Sequence, residues 1–190
     1  MEIEKYIPET FATLLLAFRM RLVSTIFLRQ WFAPISNMFG GGGREIIYGT
    51  TLFPEEGFYV VDVGAYQGWY TLLASRIVGH HGRVYAFEPE PKNFRILNKV
   101  VLFNGLRNVK IFRLALSDVD GFESLYLSSF PPMHSIVLKR SNRVIHVPAL
   151  KIDTFVYRNK VPRLDLIKVD VEGAELKVLK GAVSTIKRFK

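Results

Sequence analysis

Two rhythms of apolar residues alternate along the chain. Phe58-Tyr59-Val60-Val61-Asp62-Val63 is a β-rich, almost unbroken apolar run, as expected of a strand covered on both faces. From Trp69 to Val78 the spacing becomes helical, with Leu72, Leu73 and Ile77 predicted inward. The alternation then repeats. Arg83-Val84-Tyr85-Ala86-Phe87 predicts a second strand, and Phe94, Leu97 and Val101 share one face of a helix that Pro91 opens. Asn108 to Leu114 predicts a third strand. Phe122 to Leu127 and Arg143 to Val147 alternate like two short strands, read as a β-hairpin inserted before the next core strand. Leu164 to Asp170 is another buried strand, and a helix is predicted from near Ala174 towards Arg188. Strands and helices in this order build a parallel, doubly wound α/β sheet.

The most apolar stretch, residues 11–28, precedes all of this. Phe11, Leu14, Leu15, Phe18, Leu22 and Ile26 fall at helical spacing and predict an amphipathic N-terminal helical extension. Arg19 and Arg21 sit at its centre, and each costs about 2.5–3.5 kcal/mol in a membrane-spanning helix. The ten Leu, Ile, Val and Phe residues return only about 3–6 kcal/mol, so spanning is at best neutral. Glu2, Glu4 and Glu9 are the wrong flank for a secretory signal. The segment is therefore read as docked on the core, with peripheral membrane contact through 11–28 as the alternative. Gly40-Gly41-Gly42-Gly43 reads as a flexible joint, which places the extension and linker at 1–43 and the main domain at 44–190.

Composition narrows the chemistry. With no cysteine the chain has no disulfide framework, thiolate metal site or cysteine nucleophile, which fits a cytoplasmic, possible membrane-associated location. The net charge of +9 is uneven: residues 139–190 carry thirteen basic and five acidic side chains. No dense basic run and no Arg–aromatic alternation accompany it, which argues against nucleic acid as a partner. Homo-oligomer formation stays open.

The glycine-rich turn Gly64-Ala65-Tyr66-Gln67-Gly68 joins the first strand to the first helix, where a ligand needs close approach to backbone. Glu88 ends the second strand twenty residues past Gly68, where a carboxylate can accept hydrogen bonds from both hydroxyls of a ribose. A dinucleotide fingerprint would place three glycines against a pyrophosphate. Here an acid lies inside the motif, Asp62-x-Gly64-x-x-x-Gly68, and like charges would repel. An acid suits a cationic ligand instead. S-adenosyl-L-methionine has that character, combining a sulfonium, an ammonium and a ribose.

The end of the third strand, Ala115-Leu116, offers small apolar groups to an adenine ring. Asp170, Glu172 and Glu175 gather at the end of the last strand, on the ligand side of the sheet. Three acids without an Asn or His partner do not make a magnesium or calcium site, so no metal is expected. His134 lies on the hairpin loop near the crevice and has a suitable pKa for a general base, although a plain loop histidine explains it as well.

Val60-Val61-Asp62-Val63-Gly64-Ala65-Tyr66-Gln67-Gly68, Phe87-Glu88-Pro89, Ala115-Leu116-Ser117-Asp118 and the block Ile167-Lys168-Val169-Asp170-Val171-Glu172-Gly173-Ala174-Glu175 resemble the FkbM-type methyltransferases. The resemblance runs from about Val60 to Lys180. It implies a Rossmann-like class I methyltransferase sheet and S-adenosylmethionine-dependent methyl transfer, typically to a hydroxyl of a small molecule or glycan. On that pattern Asp62, Gly64 and Gly68, with Ala65 and Tyr66 between them, line the methionine part. Glu88 holds the ribose, with Pro89 beside it at the cofactor, and Ala115 and Leu116 hold the adenine edge. Apart from the resemblance, the base for the acceptor hydroxyl is expected to be Asp170, Glu172 or His134. Members of the family continue with further strands, so a C-terminally shortened sheet is expected at Lys190. Two alternatives follow: a cofactor-binding fragment without turnover of its own, and RNA methylation that exploits the basic second half.

Overall fold

The computed structural model describes residues 54–127, 136–137 and 143–189. The extension at 1–43, its glycine joint and His134 lie outside them. Four strands, β1 (Tyr59–Val63), β2 (Arg83–Phe87), β3 (Val109–Phe112) and β7 (Leu166–Val169), form one parallel sheet in the order β3-β2-β1-β7. Helix α1 (Trp69–Val78) follows β1, and α2 (Pro91–Phe103) follows β2. Both lie on one face of the sheet. Val60 and Val84 pack there against Tyr70, Ala74 and Val78 of α1, while Ala65 and Ala86 pack against Leu97 of α2.

Strand periodicity sends the alternate residues the other way. Val61, Val63, Tyr85 and Phe87 face Ile152, Phe155 and Val156 of a third helix, α3 (Ile152–Arg158), together with Val178 of α4 (Glu175–Lys180). Phe155 is the hub of this layer. Its ring meets Phe87 at 4.9 Å and 90°, Phe112 at 5.1 Å and 75°, and Tyr85 at 5.3 Å and 71°. The sheet is thus covered on both faces, as the apolar runs predict.

The hairpin is present, and it is larger than expected. β5 (Gly121–Tyr126) pairs antiparallel with β6 (Val144–Leu150), and β4 (Ala115–Leu116) adds a third, parallel strand beside β6. The expected third strand accordingly stops at Phe112, and Ala115-Leu116 belongs to the second sheet. Helix α3 was not foreseen. At seven residues it is too short to show a periodicity, and it rests on Asp120, which accepts from Lys151 N at 2.9 Å and Thr154 Oγ1 at 2.8 Å.

The expected helix from Ala174 to Arg188 is two helices, α4 and α5 (Val183–Arg188), divided at Gly181-Ala182. Asp153 of α3 stabilises the new start. Its carboxylate accepts from Ser184 N at 3.1 Å and Thr185 N at 2.7 Å, two amides of the first turn of α5. Among the described residues β7 is an edge of the main sheet, and no helix is long and apolar enough to cross a membrane.

Candidate functional site

The C-terminal ends of β1, β2 and β7 meet at one edge of the sheet, the usual ligand side of a doubly wound fold. The turn after β1 is shaped by close approach. Gly64 has φ +74°, and a β-carbon there would stand 2.0 Å from the Asp170 carbonyl oxygen at the end of β7. Gly68 has φ +91°, and its β-carbon would meet Leu97 Cδ1 of α2 at 2.7 Å. Two non-glycine residues also adopt left-handed backbone at this edge, Tyr66 (φ 51°) and Glu172 (φ 52°). Such residues cost on the order of 1–3 kcal/mol each and cluster at functional sites.

The turn spends its own amides. Gly64 N and Ala65 N both donate to Phe87 O, at 3.0 and 2.9 Å, and Gly68 N donates to Ala65 O at 2.8 Å. Tyr66 N donates to Glu88 Oε2 at 2.8 Å. A pyrophosphate site needs free, converging N–H groups at this turn, and four of them are engaged. The geometry therefore speaks against a dinucleotide, as the acid in the motif does.

Glu88 joins the turn to the start of α2. Its second oxygen accepts from Glu90 N at 2.9 Å, and the residue is 6% exposed. Burial pushes its carboxyl up to about 7. The bonds from Glu90 N and Tyr66 N oppose that rise, the Glu90 charge adds to it, and the Lys168 ammonium pulls it down. Half-buried Pro89 links β2 to α2, and Glu90 caps that helix by accepting from Asn93 N at 2.7 Å.

Asp62 lies in β1, just before the glycine turn. It is fully buried, and its Oδ2 accepts from Thr71 Oγ1 of α1 at 2.6 Å. Its Oδ1 lies 3.1 Å from Lys168 Nζ and makes no hydrogen bond of good geometry. The pleat that makes β1 a buried strand directs the Asp62 side chain towards α1.

Lys168 is the residue that the sequence reading missed. Asp62 and Lys168 are direct partners in the β1–β7 register, so both side chains leave the same face of the sheet. Lys168 Nζ donates to Gly64 O at 3.0 Å, pairs with Asp62, and lies 3.7 Å from Asp170 Oδ2 and 5.7 Å from the centre of the Tyr70 ring. Burial and the nearby Asp62 charge raise the pKa of Tyr70. A lone lysine within Leu166-Ile167-Lys168-Val169 was the available signal, but its partner lies more than a hundred positions away.

The acids after β7 separate. Asp170, at the strand end, has its side chain 43% exposed, and Glu175 on α4 is exposed as well. Glu175 Oε1 turns back to accept from Gly173 N at 3.0 Å, and Glu172 is half-buried. They do not form a metal-binding group, nor do any three His, Asp or Glu side chains among the described residues. Ala115 and Leu116 are 5% and 2% exposed. Ala115 packs against Leu125, Val147 and Ala149, and Leu116 belongs to the main core. Leu116 ties the second sheet to the main core, whereas Ala115 packs within the second sheet.

The methyltransferase FkbM domain matches residues 62–190, and the chain belongs to that family. Methyltransferase sdnD of Sordaria araneosa is 30% identical over 155 residues, covering 65% of this chain and 60% of its own. Methyltransferase 1 of Beauveria bassiana is 28% identical over 159 residues, covering 70% and 61%. Hexuronic acid methyltransferase AglP of Haloferax volcanii is 30% identical over 150 residues, covering 76% and 58%. The chain thus spans about 60% of the length of these curated relatives. The crystal structure of methyltransferase FkbM from Methylobacillus flagellatus shares the fold, with a TM-score of 0.52 at 20% identity over 75% of this chain and 33% of that one.

Proposed function

We propose that this FkbM-family chain binds S-adenosylmethionine and transfers its methyl group to a hydroxyl oxygen of a small molecule or glycan. The observation that carries this reading is the buried Glu88 carboxylate, fastened to the glycine turn through Tyr66 N at 2.8 Å. A carboxylate offers about four acceptor directions. Glu88 uses two of them on Tyr66 N and Glu90 N, so it keeps acceptor capacity for ribose hydroxyls. The donor set also suits a cation, since Asp62 and Asp170 outnumber Lys168.

S-adenosylmethionine supplies a methyl group already activated on a sulfonium. The residues of the chain supply position and proton transfer. Gly64 and Gly68 let the turn pack directly against the Asp170 carbonyl and Leu97, which fixes its shape at the end of β1. Asp170, exposed at the strand end, takes the proton of the acceptor hydroxyl. Lys168 restrains it from one side at 3.7 Å. The likeness to the hexuronic acid methyltransferase AglP of Haloferax volcanii supports a sugar acceptor.

Calorimetric titration tests the cofactor. S-adenosylmethionine should bind the wild-type chain, and Glu88→Ala should abolish binding. Binding of NAD with none of S-adenosylmethionine would overturn the proposal. Incubation with isotopic methyl donor and hydroxylated or uronic-acid glycans tests the acceptor. Base-stable label, an ether, is expected, and base-labile label would show an ester and overturn transfer to a hydroxyl.

A further inference from the structure

Lys168 does more than neutralise a buried acid. An isolated ion pair would need only Asp62, 3.1 Å away. The ammonium also holds the Gly64 carbonyl of the turn at 3.0 Å and faces the exposed carboxylate of Asp170 at 3.7 Å. Its charge reaches Glu88 as well, where it works against the effect of burial. Two carboxylates and one ammonium leave this cluster with one net negative charge beside the glycine turn. Lys168 is 18% exposed, so the cluster is only partly screened by water.

Resting on the reading that this edge of the sheet takes S-adenosylmethionine, we infer that Lys168 is a charge-setting positioning residue. By spanning Asp62, Gly64 O and Asp170 it fixes how much negative charge the crevice presents. It thereby sets how strongly the site prefers the cationic methyl donor over S-adenosylhomocysteine, the neutral thioether left after transfer. Donor and product share their ribose, adenine and amino-acid groups. A change that merely loosens the turn weakens both alike, whereas a change in local charge acts equally on the shared amino-acid charges and shifts the ratio of the two affinities through the sulfonium.

The test is equilibrium binding of both ligands to wild type, Lys168→Met, Asp62→Asn and the double variant Asp62→Asn/Lys168→Met, with melting temperature measured alongside. The quantity read is the ratio of the dissociation constant of S-adenosylhomocysteine to that of S-adenosylmethionine. Lys168→Met should raise this ratio about three- to tenfold, the effect of one added charge at close range in a half-screened site. Asp62→Asn should lower it by a similar factor, and the double variant should return it towards wild type, because the net charge is restored. Lys168→Met leaves Asp62 buried without a counter-charge. If that variant does not fold, the fall in Asp62→Asn and its recovery in the double variant decide the matter. A ratio within twofold of wild type in every folded variant, with both ligands weakened alike, would overturn this inference alone. Failure of the wild-type chain to bind either ligand would overturn the functional reading and this inference together.

Discussion

Gly64 and Asp170, at the ends of two neighbouring parallel strands, approach so closely that a β-carbon on the glycine would stand 2.0 Å from the aspartate carbonyl oxygen. A side chain of any size at position 64 must push β7 away from the turn. Gly64→Ala should therefore cost on the order of 3 kcal/mol or more, left-handed strain of about 1–2 kcal/mol added to the clash. Gly57 provides the control. It has φ +81° but nothing within 4 Å of its would-be β-carbon, so Gly57→Ala should cost only about 1 kcal/mol. Urea denaturation of the two variants checks the difference.

Glu88 gives the protein a pH dependence with a defined sign. Its carboxyl is raised from 4.5 to about 7, so the folded state holds a proton that the unfolded chain releases near 4.5. The associated stability is fully present below pH 4.5, declines as pH rises, and is lost above about 7. Its size is on the order of 3 kcal/mol. Wild type should lose stability across this window, and Glu88→Gln should show a flatter profile. Binding of S-adenosylmethionine should tighten over the same interval, because ribose hydroxyls donate to the ionised form.

Asp170→Asn should lower methyl transfer by about a hundredfold or more, the usual contribution of a general base. Affinity for S-adenosylmethionine should change by no more than about tenfold, since one charge is lost but no turn residue is disturbed. Single-turnover assays at saturating cofactor separate the two. An unchanged rate would remove Asp170 as the base.

Phe155→Ala should cost about 3–5 kcal/mol, since the ring is 1% exposed and touches Tyr85, Phe87 and Phe112 at once. The loss should appear as a lower denaturation midpoint across the whole described domain.

Asp153→Ala should be milder and local. It removes the acceptor for Ser184 N and Thr185 N and should cost about 1–2 kcal/mol. Hydrogen exchange should then speed at those two amides while β1 and β2 stay protected.

The unit from β1 through α2 was legible in the sequence almost to the residue. Trp69–Val78 and Arg83–Phe87 lie where the apolar spacing places them, because strand and helix periods and a glycine turn are local properties. Glu88 was legible too, since its place at a strand end depends only on the strand that carries it. Helix α3 was not, because its seven residues acquire their reason from Phe155 burial and from Asp120 outside the helix. The same holds for the break before α5, which depends on Asp153. Asp62 shows the division most clearly. Sequence alone determined that an acid precedes the glycine turn. Only the β1–β7 register decided that this acid faces Lys168, because pairing between strands distant in sequence follows from how the whole sheet packs.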